Sequence, residues 1–348
     1  MRRLRSALVA SSVLALGLTA CGTSTPTETT TPTDPAPAQT STTPAAPETE
    51  APAPGDVPKG NGELIYLVSK GFQHRFWQAV NEGAKQAADE YGYKIQFAGP
   101  DDETKVTQQL DQLQAALDAK PIAIGLAALD TGAAEPILQK IEAANIPLVA
   151  FDSGVDSDLP VTTVSTDNEA AAQEAAKHMI ELVGGKGTVG VICHDQTSQT
   201  GKQRCNGFVD YVKANAADIN LLEPQVAGEV GLAANTAKAM IQANPDIVGV
   251  YGTNEAAATG AVQGVTESGA KDIKVVGFDS GKTQLEAIRD GRMAGAITQS
   301  PVKMGYETVV AAIRAVNGIE QPKVIDSGFA WYDATNIDDP EIAANLYE

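Results

Sequence analysis

A chain of 348 residues with 43% hydrophobic content can build two ordinary domains with full cores, which excludes disorder throughout. The formal net charge of -19 excludes polyanionic partners such as nucleic acid, whose phosphates are held by clustered Lys and Arg.

Taken in chain order, Arg2, Arg3 and Arg5 precede an apolar run from Ala7 to Ala20. That run is short for a bilayer span and has the length of a secretory signal. It ends in Leu18, Thr19, Ala20 and Cys21, which resemble the bacterial lipobox, where the cysteine becomes the mature N-terminus and carries the lipid. A signal or anchor helix with an incidental cysteine is the competing reading. Residues 1–20 are expected to be a lipoprotein signal peptide and Cys21 the lipidation site, placing the protein on the extracytoplasmic face of the cell membrane. Bacterial lipoproteins carry more than one acyl chain, as durable anchoring requires. From Gly22 to about Asn61, Thr, Pro, Ala, Ser and Glu dominate. Such a segment buries too little apolar surface to offset its ordering entropy, so 21–61 reads as a lipidated, disordered tether.

Beyond Asn61, short apolar runs alternate with helical patterns: "ELIYLVS" then "FWQAVNEGAKQAADEYG", "KIQFAG" then "TKVTQQLDQLQAALDA", "IAIGLA" then "AEPILQKIEAAN", and "IPLVAFD". Nearly continuous apolar strands between amphipathic helices predict a parallel sheet covered on both faces, an α/β layer fold. After "VTTVSTDN" the alternation restarts. A helix over about 168–183 leads to "TVGVICH", a helix over about 201–216, a weak strand near "NLLEPQVA", a helix over about 233–243, "IVGVYGT", a helix, "IKVVGFD", a helix and "AGAITQ". Two runs of βα units predict two similar lobes with a cleft between them. "GGKGT" around Gly185 lacks Walker spacing and reads as a helix end.

In open α/β sheets ligands collect at the carboxyl ends of the strands. Phe76 and Trp77 follow the first strand, Asp152 closes "LVAFD", Asn254 follows "VYGT", Asp279 closes "VVGFD" and Gln299 closes "AGAIT". Each polar residue taken singly could cap a helix. Together with the aromatic pair they form a set suited to a polyol, with carboxylates accepting from hydroxyls and flat rings against C–H faces. Cys193 and Cys205 are a possible disulfide outside the cytoplasm, with two buried thiols the equal alternative. His178 and His194 read as structural, since no Ser, His and Asp set and no HExxH run accompanies them. No metal, nucleotide or other cofactor is implied, and the chain does not read as an enzyme.

The segments "SKGFQHRFWQAVNEGAKQAADEYGY", "AANIPLVAFDSG", "STDNEAAAQEAA", "GKQRCNGF", "GTNEAAATGA", "VVGFDSG" and "AITQSPVKMGYE" resemble the type I periplasmic binding proteins for sugars, the ribose-binding group, from Glu63 to the end of the chain. The resemblance implies two Rossmann-like lobes joined by three crossover strands, closing around one sugar and presenting it to an ABC permease with its ATPase. It implies a monomer with an N-terminal lobe of 62–165 plus 300–326 and a C-terminal lobe of 166–299 plus 327–348. The implied ligand contacts are His74, Phe76, Trp77, Asp152, Arg204, Asn254, Asp279 and Gln299, with Arg75, Asp130 and Ser153 as a second tier. Two departures set this chain apart from the ribose binders: Ser153 stands where they have arginine, and "PQVAGEVGLA" lacks a stacking aromatic. Arg75 also occupies a position that is commonly proline. The expected function is capture of a monosaccharide or related polyol for import. The alternative is a sensory receptor for a sugar or autoinducer, which uses the same closure. A repressor of the lac type shares the lobes but requires an N-terminal helix-turn-helix and a basic face, where this chain has a lipobox and net acidity.

Overall fold

The computed structural model describes residues 57–347; the expected signal peptide, Cys21 and most of the tether lie outside them. The first lobe is built from β1 (Leu64–Val68), α1 (Arg75–Tyr91), β2 (Lys94–Ala98), α2 (Val106–Asp118), β3 (Ala123–Leu126), α3 (Glu135–Ala143), β4 (Leu148–Phe151) and β5 (Thr163–Ser165). The second contains α4 (Asn168–Leu182), β6 (Gly187–Cys193), α5 (Gln199–Asn215), β7 (Ile219–Leu221), β8 (Gln225–Val226), α6 (Val230–Ala243), β9 (Ile247–Gly252), α7 (Glu255–Ser268), β10 (Lys274–Phe278), α8 (Lys282–Arg289) and β11 (Gly295–Gln299). The chain then returns with α9 (Pro301–Val316) and β12 (Val324–Asp326) to the first lobe, and ends with β13 (Phe329–Tyr332) and α10 (Pro340–Ala343).

The first sheet runs β12-β5-β4-β3-β1-β2 and every pair in it is parallel. The second runs β13-β11-β10-β9-β6-β7, with β8 also on β6 and only β13 antiparallel. β3 and β4 are buried at every position, which explains their unbroken apolar sequences: helices cover both faces. The weak strand near "NLLEPQVA" is two short strands because Pro224 stands between them and cannot donate to a ladder. α5 begins at Gln199 because Ser198 accepts from the Gly201 amide, two residues before the periodic apolar pattern starts.

Three short segments cross between the lobes, after β5, β11 and β12, and hydrogen bonds tie them together. The Thr166 hydroxyl donates to Gln299 Oε1 at 2.9 Å, and the Ser327 amide donates to the Ser165 carbonyl at 2.9 Å. α9 belongs to the first lobe because it lies against α1 almost backbone to backbone. A Cβ on Gly83 would stand 1.8 Å from the Val302 carbonyl oxygen, and one on Gly305 1.8 Å from that of Val80. Two boundaries differ from the sequence expectation. Val57 is buried in the first lobe's core and Lys59 donates to the Glu90 carbonyl, so packed structure begins before residue 62. Tyr347, expected with the second lobe, packs its ring on Phe76 at 5.8 Å while its hydroxyl accepts from the Ser280 amide, so the tail touches both lobes.

Candidate functional site

A narrow cleft lies between the lobes at the carboxyl ends of the strands. All eight of the expected ligand contacts line it: His74, Phe76, Trp77, Asp152, Arg204, Asn254, Asp279 and Gln299. Three residues that the sequence did not reveal complete the wall, namely Lys70, Glu103 and His194.

Asp152 and Asp279 occupy equivalent places in the two lobes. Each follows its strand within the same tetrapeptide, Phe-Asp-Ser-Gly, and each takes left-handed backbone angles, with φ of 55° and 77°. Such angles are strained for a non-glycine residue. Each aspartate holds them while its backbone amide bonds the neighbouring strand, to Val164 O at 2.8 Å and Ile297 O at 2.7 Å. The turn therefore aims both carboxylates into the gap.

Arg204 stands between them. Its guanidinium lies 4.0 Å from Asp152 and 3.9 Å from Asp279, rests over the Phe278 ring at 3.8 Å and donates from Nε to Asn168 Oδ1 at 2.7 Å. Lys70 Nζ donates across the cleft to Thr200 Oγ1 at 3.0 Å and sits 3.8 Å from Asp152 and 3.9 Å from Glu103. Separations of 3.8–4.0 Å are too long for hydrogen bonds. Asp152 Oδ2 is buried without a hydrogen-bond partner. A hydroxyl entering this gap can accept from a cation and donate to a carboxylate at once.

The aromatic side is fixed from behind. Trp77 Nε1 donates to Glu103 Oε1 at 2.9 Å, and its ring meets Phe76 edge-on at 4.9 Å. His74 Nδ1 faces Glu255 Oε2 of the other lobe at 3.4 Å. Asn254 caps α7 through the Ala257 amide and also lines the cleft, so its capping role and its place in the wall coexist.

Burial opposes charge on His74, but the Glu255 hydrogen bond and the carboxylates of Glu103, Glu255 and Asp279 outweigh it and push its pKa up to about 9. Burial pushes Asp152 up to about 6 against the pull of Lys70 and Arg204. For Lys70, burial is outweighed by Glu103, Asp152 and Asp195, which hold its pKa above the ordinary value. Burial pulls His194 down to about 4. At neutral pH, three cations (Lys70, His74, Arg204) thus face three carboxylates (Glu103, Asp152, Asp279) around the gap. This balance suits an uncharged ligand rich in hydroxyls.

The second tier does not reach the cleft. Arg75 is exposed and donates along its own helix to Gln78 Oε1 at 3.1 Å. Asp130 instead closes a turn by accepting from the Gly132 and Ala133 amides. Ser153 is buried behind the wall, where its hydroxyl accepts from the Gln199 amide at 3.1 Å. His194, read as structural, is a wall residue, with Nδ1 2.7 Å from Thr253 Oγ1. His178 stacks on Trp331 at 3.8 Å and is not among the residues that line the cleft. Cys193 and Cys205 form a disulfide, with Cα atoms 5.6 Å apart.

The lobes touch across the mouth. The Gly154 amide donates to Gln199 Oε1 at 2.8 Å, the Thr131 amide to the Thr197 carbonyl at 3.1 Å, and Lys202 Nζ to Thr131 Oγ1 at 2.9 Å. Among the described residues no helix is long and apolar enough to cross a membrane, and no group of three or more His, Cys, Asp or Glu is placed to hold a metal ion.

Similarity to known proteins agrees with this geometry. The D-apiose import binding protein of Actinobacillus succinogenes is 28% identical over 270 residues, covering 76% of this chain and 86% of that protein. The ribose import binding protein of Escherichia coli is 24% identical over 257 residues, covering 74% and 86%. Among solved structures, an ABC transporter solute-binding protein from Agrobacterium vitis bound with α-D-tagatopyranose superposes with a TM-score of 0.79 at 30% identity, covering 82% of this chain and 99% of that one. The family described as periplasmic binding protein domain matches residues 65–320. With a match of that extent and a cleft between two parallel-sheet lobes, the chain belongs to the periplasmic binding protein family.

Proposed function

We propose that this protein captures an uncharged monosaccharide or related polyol between its lobes and delivers it to the permease and ATPase of an ABC importer. The observation that carries this reading is the set of buried charges held just beyond hydrogen-bond distance around one gap, with Asp152 Oδ2 lacking a partner. A hydroxyl satisfies those groups without importing charge. The named relatives, which are import binding proteins and a sugar-bound solute-binding protein, support the same substrate class. Import is favoured over signalling because those relatives are named for import.

A lipid on Cys21 fits this role, since it keeps the receptor beside the permease. A monomer fits as well, because the cleft is completed within one chain. The reading is tested by thermal unfolding of detergent-solubilised full-length protein against pentoses, hexoses and sugar alcohols. A ligand that binds only the folded state raises the melting temperature. Stabilisation by a charged non-carbohydrate solute alone would overturn the proposal. Release of a Cys21→Ser variant from the membrane fraction tests the anchor, and light scattering tests the monomer.

A further inference from the structure

The space between the lobes continues past the cleft. Glu103, His194 and Asn254 line the cleft and also a second, roomier chamber that opens in part to solvent. At its rim, Gly228 has no room for a side chain, because a Cβ there would stand 2.5 Å from the His194 carbonyl oxygen. Between β8 and α6, Gly228 therefore passes the opening as bare backbone, beside Glu229.

The chamber differs in chemistry from the cleft. Glu103, Asp195 and Glu229 line it, no Lys or Arg does, and its one basic residue, His194, is kept neutral by burial at physiological pH. Leu129 and Leu232 supply apolar wall. Leu232 is 52% exposed at the start of α6. Acceptors on one side and aliphatic surface on the other match a second ring with donating hydroxyls and a C–H face, and they repel an anion.

Building on the reading of the cleft as a site for one sugar ring, we infer that this ring binds more tightly as the terminal unit of a short glycoside than as the free monosaccharide. The terminal ring lies between Trp77 and Arg204, and the second unit, neutral or cationic, occupies the chamber bounded by Glu103, Asp195, Glu229 and Leu232.

The test is calorimetry of detergent-solubilised full-length protein with D-xylose and xylobiose, D-glucose and cellobiose, and D-galactose, lactose and melibiose. At least one disaccharide is expected to bind tenfold or more tightly than its monosaccharide. Leu232→Trp, a change at an exposed helix position that narrows the chamber, is expected to abolish that preference and leave monosaccharide affinity unchanged. If a monosaccharide binds and its glycosides all bind more weakly, the chamber assignment is overturned while the cleft stands. A disaccharide preference that survives Leu232→Trp overturns it too. Absence of binding by every carbohydrate here and in the wider sugar screen overturns the cleft reading itself.

Discussion

The side-chain amide of Gln299 donates to the Asp279 carboxylate at 2.6 Å, while its oxygen accepts from Thr166 at 2.9 Å. Thr166 lies in the first crossover and Gln299 ends the strand that leads into the second. The hinge and a cleft carboxylate thus share one hydrogen-bonded chain, and on the proposed reading this chain would couple lobe closure to the orientation of Asp279. Gln299→Ala should lower sugar affinity by up to about a decade, because the Asp279 carboxylate loses the donor that orients it, an internal bond of which only the part that strengthens on binding is lost from the affinity. It should also expand the unliganded molecule. Calorimetry and small-angle scattering measure the two effects, and unchanged affinity with unchanged radius would refute the linkage.

Asp152 gives binding a pH dependence. Its pKa stands at about 6, raised from 3.8 by burial. The raised value means that the proton favours the folded protein, a contribution fully present below about pH 4 and lost as pH rises through 6. Ligand binding runs the other way, since a protonated Asp152 loses its charge as an acceptor. Affinity for the sugar should fall as pH drops from 7 to 5, with a midpoint near 6. In Asp152→Asn, affinity should be lower throughout and that midpoint absent. Titration calorimetry across the range decides this, and a wild-type profile that stays flat between pH 5 and 7 would refute it.

The contact of α1 with α9 predicts a packing effect far from the cleft. Gly305→Ala would place a methyl group 1.8 Å from the Val80 carbonyl oxygen, and a helix backbone cannot yield as a side-chain tip can. Overpacking costs about 1–3 kcal/mol and at times more, which lowers the melting temperature by several degrees. Gly231→Ala, in the first turn of α6 with nothing within 4 Å, should leave stability unchanged or raise it by up to about 1 kcal/mol. Equal melting temperatures for the two variants would contradict this account.

Much of the architecture was legible because buried parallel strands must be apolar throughout, so "IAIGLA" and "LVAFD" announce themselves, and the residue closing each strand is placed at the ligand edge by the fold class alone. The same rule applied to Lys70 in "LVSKGF" and to His194 in "VICHD", yet a lysine reads as a solvated residue and a strand-end histidine as structural. The repeat Phe151-Asp152-Ser153-Gly154 and Phe278-Asp279-Ser280-Gly281 was the available signal for the paired carboxylates. Glu103 carries no such signal. It lies in the charged run "DDETK", and the Trp77 Nε1 hydrogen bond and the Lys70 ammonium at 3.9 Å hold it in the wall. The packing of Tyr347 on Phe76 joins residues far apart in the chain and has no local pattern.

The disulfide encloses the segment that reaches across the cleft. Thr197, Gln199, Thr200 and Lys202, which contact the first lobe, all fall between Cys193 on β6 and Cys205 on α5. Closing a loop with a sequence separation of 12 restricts the unfolded chain, and loops of this size contribute about 3 kcal/mol on the chain-entropy account. It also ties α5 to β6, so the groups that hydrogen-bond across the cleft, Lys202 as donor and Thr197, Gln199 and Thr200 as acceptors, are held in place before the lobes meet. The double variant Cys193→Ala with Cys205→Ala should therefore melt several degrees lower and release sugar faster. Reducing agent should reproduce both effects in the wild-type protein and add nothing in the variant. Stopped-flow dissociation with thermal melts separates the two parts: a lower melting temperature with unchanged release would leave the disulfide with a purely stabilising role, because a segment already held by its own contacts needs no clamp.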